Sequence, residues 1–112
     1  MSKQAIEYQK GQTIDVTLDS DVEVGDIIPF GTSAVGVAVT AGLYGETIAV
    51  ELEKIWQTTA ATADEISIGD TLYWDDTAKV MTTVSTDNTF AGMATSTKSA
   101  ATAGFVYIKI NR

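Results

Sequence analysis

The chain has 112 residues, no cysteine and no histidine, and carries seven Lys and Arg against fifteen Asp and Glu for a net charge of −8. That length fits one domain, and the missing Cys and His together exclude disulfides, Cys-based zinc sites, thiol nucleophiles and the commonest general base. The cations are scattered and outnumbered, so the net negative charge repels a phosphate backbone and no nucleic-acid partner is expected.

Residues 1–12 hold Ile6 and Tyr8 among polar neighbours and break at Gly11, which reads as a flexible N-terminal arm preceding a single β domain over residues 13–112. Thr13 to Leu18 alternates Ile14, Val16 and Leu18 with polar residues, the period of a half-buried strand. Val22, Val24 and Ile27 surround the turn pair Gly25-Asp26, and Pro29 lacks a backbone donor, which places this stretch at an edge. Ala34 to Thr40 is small and apolar with Gly36 inside it, as expected of a buried strand that another backbone approaches closely. After a turn at Gly42 and Gly45, Thr47 to Trp56 is the longest strand candidate, and Thr58 to Ala63 reads as a loop. Thr71 to Trp74, the polar turn Asp75 to Lys79 and Val80 to Val84 form a hairpin. Thr89 to Ala91 lies between Asn88 and Gly92, a small-residue loop covers Ser96 to Thr102, and Gly104 to Ile110 is the last strand. No stretch predicts a helix. With 17 Thr, 10 Val and 10 Ile, β-branched side chains dominate, and the expected class is mainly β, a small barrel or sandwich.

One pattern occurs twice. Val22-Glu23-Val24-Gly25-Asp26 is echoed by Ile66-Ser67-Ile68-Gly69-Asp70, and each copy leads to a Gly-apolar-Ala step, Gly36-Val37-Ala38 and Gly92-Met93-Ala94. Each step lies 14 positions before a closing strand, at Val50 and at Val106, and both closing strands carry a Lys-Ile pair. The distance from Gly25 to Gly36 is 11 positions and from Gly69 to Gly92 it is 23, so the second copy has room for an extra hairpin. These features predict a pseudo-duplicated β unit.

Candidate chemistry is sparse. Asp19-Ser20-Asp21-Val22-Glu23 opens like a calcium loop, but glycine stands at the seventh position of that frame and Phe30 at the twelfth, where a bidentate Glu is required. No metal and no cofactor are expected. Gly31 to Ala38 lacks the Lys-Ser or Lys-Thr of a phosphate-binding loop. Asp26 and Asp70 are a conceivable carboxylate pair, though Gly-Asp steps also simply make turns. The large aromatics Trp56, Tyr73 and Trp74 suit either a core or a subunit interface. No run of about 18 apolar residues exists and the start lacks an apolar signal core, so neither membrane insertion nor secretion is expected.

The order Val24-Gly25-Asp26, Val35-Gly36-Val37-Ala38, Gly45-Glu46, Ile68-Gly69-Asp70-Thr71-Leu72-Tyr73-Trp74-Asp75 and Ala91-Gly92-Met93-Ala94 before a terminal strand resembles the small bacteriophage capsid cement, or head decoration, proteins over roughly residues 10–112. The resemblance implies a non-enzymatic structural protein of the virion, made in the host cytoplasm, that binds the outer surface of the expanded capsid as a homotrimer and cements it. The major capsid protein would be its partner, and the arm, with Ile6 and Tyr8 as anchors, would order on the capsid. Trp56, Tyr73 and Trp74 would then be the first candidates for subunit or capsid contacts. Some relatives carry a recombinase label, which the missing nucleotide loop does not support. The alternative reading is a small non-enzymatic binding module, with the same three aromatics stacking on carbohydrate.

Overall fold

A computed structural model describes residues 11–111 and contains nine strands and no helix among them. The arm residues Ile6 and Tyr8 lie outside the described residues. The strands are β1 (Thr13–Thr17), β2 (Ile27–Phe30), β3 (Ala34–Ala38), β4 (Thr47–Glu51), β5 (Ile55–Ala60), β6 (Thr71–Asp75), β7 (Val80–Thr82), β8 (Thr89–Ala94) and β9 (Gly104–Ile110). The first four form a sheet in the order β1-β4-β3-β2, and the other five close into a barrel, β5-β7-β6-β8-β9.

The two halves are copies. Without β7 the barrel order is β5-β9-β8-β6, which matches β1-β4-β3-β2 strand for strand. The registers agree: Ile28 faces Gly36 as Leu72 faces Gly92, and Ala38 faces Val50 as Ala94 faces Ile108. Ile108 is thus the counterpart of Val50, so the equal spacing to Val106 and the shared Lys-Ile pair are not structural equivalences. The extra room in the second copy holds β7, which pairs antiparallel with β6 and parallel with β5 through Ala60 and Met81.

The repeated motifs are joined to each other by the same backbone bonds. Gly25 N–H donates to Ala38 O at 2.8 Å and Ala38 N–H to Asp26 O at 2.9 Å; in the barrel Gly69 donates to Ala94 O and Ala94 to Asp70 O, both at 2.9 Å. A third turn of the same kind, Leu43-Tyr44-Gly45-Glu46, follows β3. Glycine sits at positive φ in all three, 91° at Gly25, 87° at Gly45 and 96° at Gly69, a conformation that costs a Cβ-bearing residue about 1–2 kcal/mol. An antiparallel bridge ties Val22 to Gly42, and its barrel counterpart ties Ile66 to Lys98. Three residues beyond Lys98, Ala101 takes φ 56° where the other three turns have glycine.

Two expected elements differ. The single strand Thr47–Trp56 is cut into β4 and β5, because Lys54 takes φ 88° and the chain passes there from one sheet to the other. Thr58–Ala60, expected as loop, continues β5 and pairs with Gly104–Val106. Its alternating Thr58, Thr59 and Ala60 place Thr58 and Ala60 inside and Thr59 outside, a pattern that a tract of Ala and Thr hides because both residues are small.

Most of the core lies in the barrel. Ile66, Leu72, Met81, Ile108 and Ile110 are each under 2% exposed, and complete burial of such side chains is worth about 1.5–3 kcal/mol apiece relative to exposure. β3 is buried on both faces: Val35 and Val37 join the barrel cluster, whereas Ala38 joins a second cluster with Leu18, Ile48 and Val50. That double burial explains why Ala34–Ala38 contains only small apolar residues.

Candidate functional site

The acidic residues of the turns are engaged in their own backbone. Asp26 Oδ2 accepts from Glu23 N–H at 2.9 Å, Glu46 Oε1 from Leu43 N–H at 2.6 Å and Asp70 Oδ2 from Ser67 N–H at 2.8 Å. In each case the carboxylate closes the turn in which it stands. Asp26 and Asp70 therefore hold equivalent places in two different halves, and each has a structural task. Asp21 Oδ1 accepts from Tyr44 N–H at 2.8 Å, which links the first two turns. Among the described residues no group of three or more Asp or Glu is placed to hold a metal ion.

The three aromatics go to different surroundings. Trp74 is 6% exposed, packs in the barrel core and donates Nε1–H to Asp76 Oδ1 at 2.9 Å. Trp56 is half-buried against the same core, with Nε1–H on Glu53 O at 2.9 Å. Tyr73 is half-buried and meets Phe90 edge to face at 6.3 Å between ring centres. With Trp74 buried, the three do not form one open stacking platform.

The apolar surface that is open lies on the outside of the barrel. Along β9 the exposed Phe105, Tyr107 and Lys109 alternate with the buried Val106, Ile108 and Ile110. Across the sheet Ile55 and Met93 both stand opposite Lys109, Gln57 opposite Tyr107 and Thr59 opposite Phe105. Phe105 is 62% exposed, Ile55 59% and Tyr107 48%. A contiguous outward face with Ile, Met, Phe and Tyr on adjoining strands is the kind of patch that marks a protein contact. The alternation of β9 is legible in sequence, but the neighbours it acquires from β5 and β8 are not.

A second surface feature is a cavity of about 680 Å³ beside the first half, lined by residues of β1 and β2, the two outer strands of the four-stranded sheet among the described residues. Val16, Leu18, Ile28 and Phe30 line it, Asp19, Asp21 and Asp26 stand at its rim, and Gln57 to Thr59 with Trp74, Asp76 and Lys79 close it from the barrel side.

One buried cation was missed by sequence reasoning. Lys98 is 7% exposed, and its ammonium donates to three carbonyls, Thr62 O at 3.1 Å, Asp64 O at 2.8 Å and Ser99 O at 3.0 Å. The Asp64 carboxylate in turn accepts from Thr82 Oγ1 at 2.6 Å and from Thr83 N–H at 2.9 Å, which ties this loop to β7. Partial burial pushes the Asp64 carboxyl up, but the hydrogen bonds from Thr82 and Thr83 and the nearby Lys98 charge outweigh it and hold the group below its ordinary value. Lys98→Met keeps the length of the side chain and removes all three donors. The expected loss is about 2 kcal/mol, since part-buried carbonyls lose their partner, and thermal melting should fall by on the order of 10 °C. A melting point unchanged within error would show that water replaces the ammonium without cost.

No curated protein and no solved structure matches the chain. The family model described as phage cement protein matches residues 8–110, from just before β1 to the last residue of β9. Both copies of the duplicated unit and the inserted β7 fall within that match. A cement is a structural protein that associates with the phage capsid and stabilises it. An all-β scaffold whose turn carboxylates are occupied by their own backbone, and whose open surface is an apolar sheet face, suits that role, and with a match of this extent the chain belongs to the phage cement protein family.

Proposed function

We propose that this chain binds the outer surface of the expanded phage head as a homotrimer and holds neighbouring copies of the major capsid protein together. The observation that carries the reading is the family match over residues 8–110. The net charge of −8 supports it, since an acidic protein stays soluble and separate until it meets its own surface and has no attraction for packaged nucleic acid. The outward face with Ile55, Met93, Phe105 and Tyr107 supports it as well, because these residues offer a large apolar area on adjoining strands. We assign that face to the contact between protomers. Three protomers then present three copies of any shell contact, and linked contacts exceed a single one by about 10²–10⁴ in affinity.

The test is to mix purified protein with expanded, undecorated capsids and sediment them. Saturable binding is expected, together with greater resistance of the capsids to heat and chelators. The double variant Phe105→Glu, Tyr107→Glu should sediment as a monomer and bind at least tenfold more weakly, because two carboxylates cannot be buried in an apolar contact. Capsids that take up none of the unmodified protein would refute the cement role. A trimeric double variant would refute the assignment of the face.

A further inference from the structure

The two halves share their strand order but not their charge. Residues 11–53, which contain the four-stranded sheet, hold eight Asp and Glu and no Lys or Arg, whereas residues 54–111, which contain the barrel, hold six Asp and Glu and four Lys. A fold built from either composition dictates neither, so what differs between the copies answers to something besides the fold.

The difference is sharpest at the turns that precede β2 and β4. A bridge joins Val22 to Gly42 and Asp21 Oδ1 accepts from Tyr44 N–H at 2.8 Å, so the two turns stand side by side. Val24, Leu43 and Tyr44 belong to them and are 69%, 63% and 74% exposed. Between the turns lies a hollow of about 630 Å³, lined by Leu43 and by the acidic residues Asp21, Glu23, Asp26 and Glu46. The barrel builds the same bridged pair with Ile66 on Lys98, yet its loop after Lys98 has only small residues, Ser99 to Ala103, where the first half has Leu43-Tyr44. Ser67 likewise stands in the place of Glu23, whereas Ile68 keeps the apolar character of Val24. The turn itself therefore requires neither Leu43 and Tyr44 nor the Glu23 carboxylate.

We infer that these two turns are the part of the chain that grips the shell, and that they take a basic protein surface, with a Lys or Arg entering the hollow and an apolar side chain against Leu43 and Tyr44. The inference rests on the cement role proposed above. Carboxylates alone would serve solubility, and large exposed apolar side chains among them work against it. The charge decides the occupant. A second copy is acidic in both halves and would bring carboxylates against carboxylates, and phosphate or an anionic lipid is repelled for the same reason. A cationic protein surface is drawn in and oriented by the acidic half, and the apolar tips then add a contact that salt does not screen. The turns belong to the four-stranded sheet and the outward face to the barrel, so the shell contact and the contact between protomers use separate residues.

Two full-length double variants test the apolar and the charged parts separately: Leu43→Ser with Tyr44→Ser, and Asp19→Lys with Glu23→Lys, the latter at exposed acidic positions in and before the first turn. Free of capsids, both should sediment as the parent does and melt within about 3 °C of it, as exposed substitutions do. On expanded, undecorated capsids each should bind at least about tenfold more weakly. Parent binding should weaken as salt is raised from about 0.05 to about 0.5 M, and the Lys variant should lose that dependence. Either variant binding as tightly as the parent would overturn the inference and leave the cement role standing. A variant that sediments differently when free would also overturn it, since the turns would then lie between copies, and parent binding that strengthens with salt would refute a basic partner. Capsids that take up none of the parent protein would overturn the cement role and this inference with it.

Discussion

Gly92→Ala is expected to lower stability by about 4 kcal/mol, the sum of overpacking at about 1–3 kcal/mol and backbone strain at about 1–3 kcal/mol. A Cβ at this position would stand 2.1 Å from Lys109 O and 3.0 Å from Ile110 Cα, both backbone atoms of the neighbouring strand, and the residue is at φ +155°. A flexible side chain could turn away; a ladder strand cannot, so β9 would have to move off β8 in the middle of the barrel. Melting should fall by on the order of 20 °C, or the variant should accumulate in the insoluble fraction. Gly25→Ala is the control. Its surroundings are open and only its φ of +91° is strained, so it should lose about 1 kcal/mol. If Gly92→Ala melted above Gly25→Ala, the close approach of β9 to β8 at this point would be wrong.

Gly36, the counterpart of Gly92, would meet Val50 Cγ1 at 2.3 Å and Phe30 at 3.0 Å. Both glycines thus stand where a neighbouring strand comes too close for a side chain, once against a Val methyl and once against main chain. This is why the duplication was legible: Gly25-Asp26 and Gly36-Val37-Ala38 are adjacent parts of one hydrogen-bonded unit, and the same constraints preserve the same residue types at Gly69-Asp70 and Gly92-Met93-Ala94. Where a residue type answers to its own φ or to an adjoining strand, sequence shows it. The break at Lys54 was not legible because lysine carries no signal for a left-handed backbone; the fold imposes that conformation where the chain leaves one sheet for the other.

The candidate site was less legible than the fold. The sizes of Trp56, Tyr73 and Trp74 suggested contacts, yet size alone does not say which face of a strand points inward, and β6 turns Trp74 into the core while leaving Tyr73 half-buried. The open face depends on three strands that are 55–60, 89–94 and 104–110 in the chain, so no local window contains it. The cavity between β1 and β2 corresponds to the place that β7 holds in the barrel, and the correspondence is recognised only when the two halves are compared. Lys98 looked like part of a polar loop because its partners at Thr62 and Asp64 lie more than 30 residues away.

Asn111→Ala is expected to cost about 3 kcal/mol, and it tests whether the two halves fold as one. The Asn111 side chain donates Nδ2–H to Val35 O at 2.8 Å and to Leu52 O at 2.7 Å, and its Oδ1 accepts from Val35 N–H at 3.0 Å. Its own N–H donates to Ala91 O at 2.6 Å. One residue after β9 therefore joins β3 of the first half, the crossing after β4, and β8 of the barrel. Val35 is fully buried, so truncation strands its N–H and C=O together, and each such orphan costs about 1–3 kcal/mol less whatever relaxation recovers. The φ of 60° at Asn111 adds a smaller term, since asparagine tolerates this region better than alanine. Asn111→Gly removes the backbone term and keeps the lost bonds, so it should recover at most about 1 kcal/mol. Asn111→Asp should not rescue either, because a carboxylate facing the carbonyls of Val35 and Leu52 has no donor for them. Calorimetry of Asn111→Ala should show melting lowered by on the order of 15 °C, and hydrogen exchange at the Val35 amide should accelerate at least tenfold relative to the amides of β9. If Asn111→Ala stays within about 0.5 kcal/mol of the parent, the ordinary range for a surface change, then the barrel and the four-stranded sheet are held together by Val35 and Val37 packing into the barrel core, and this side chain is not the joint between them.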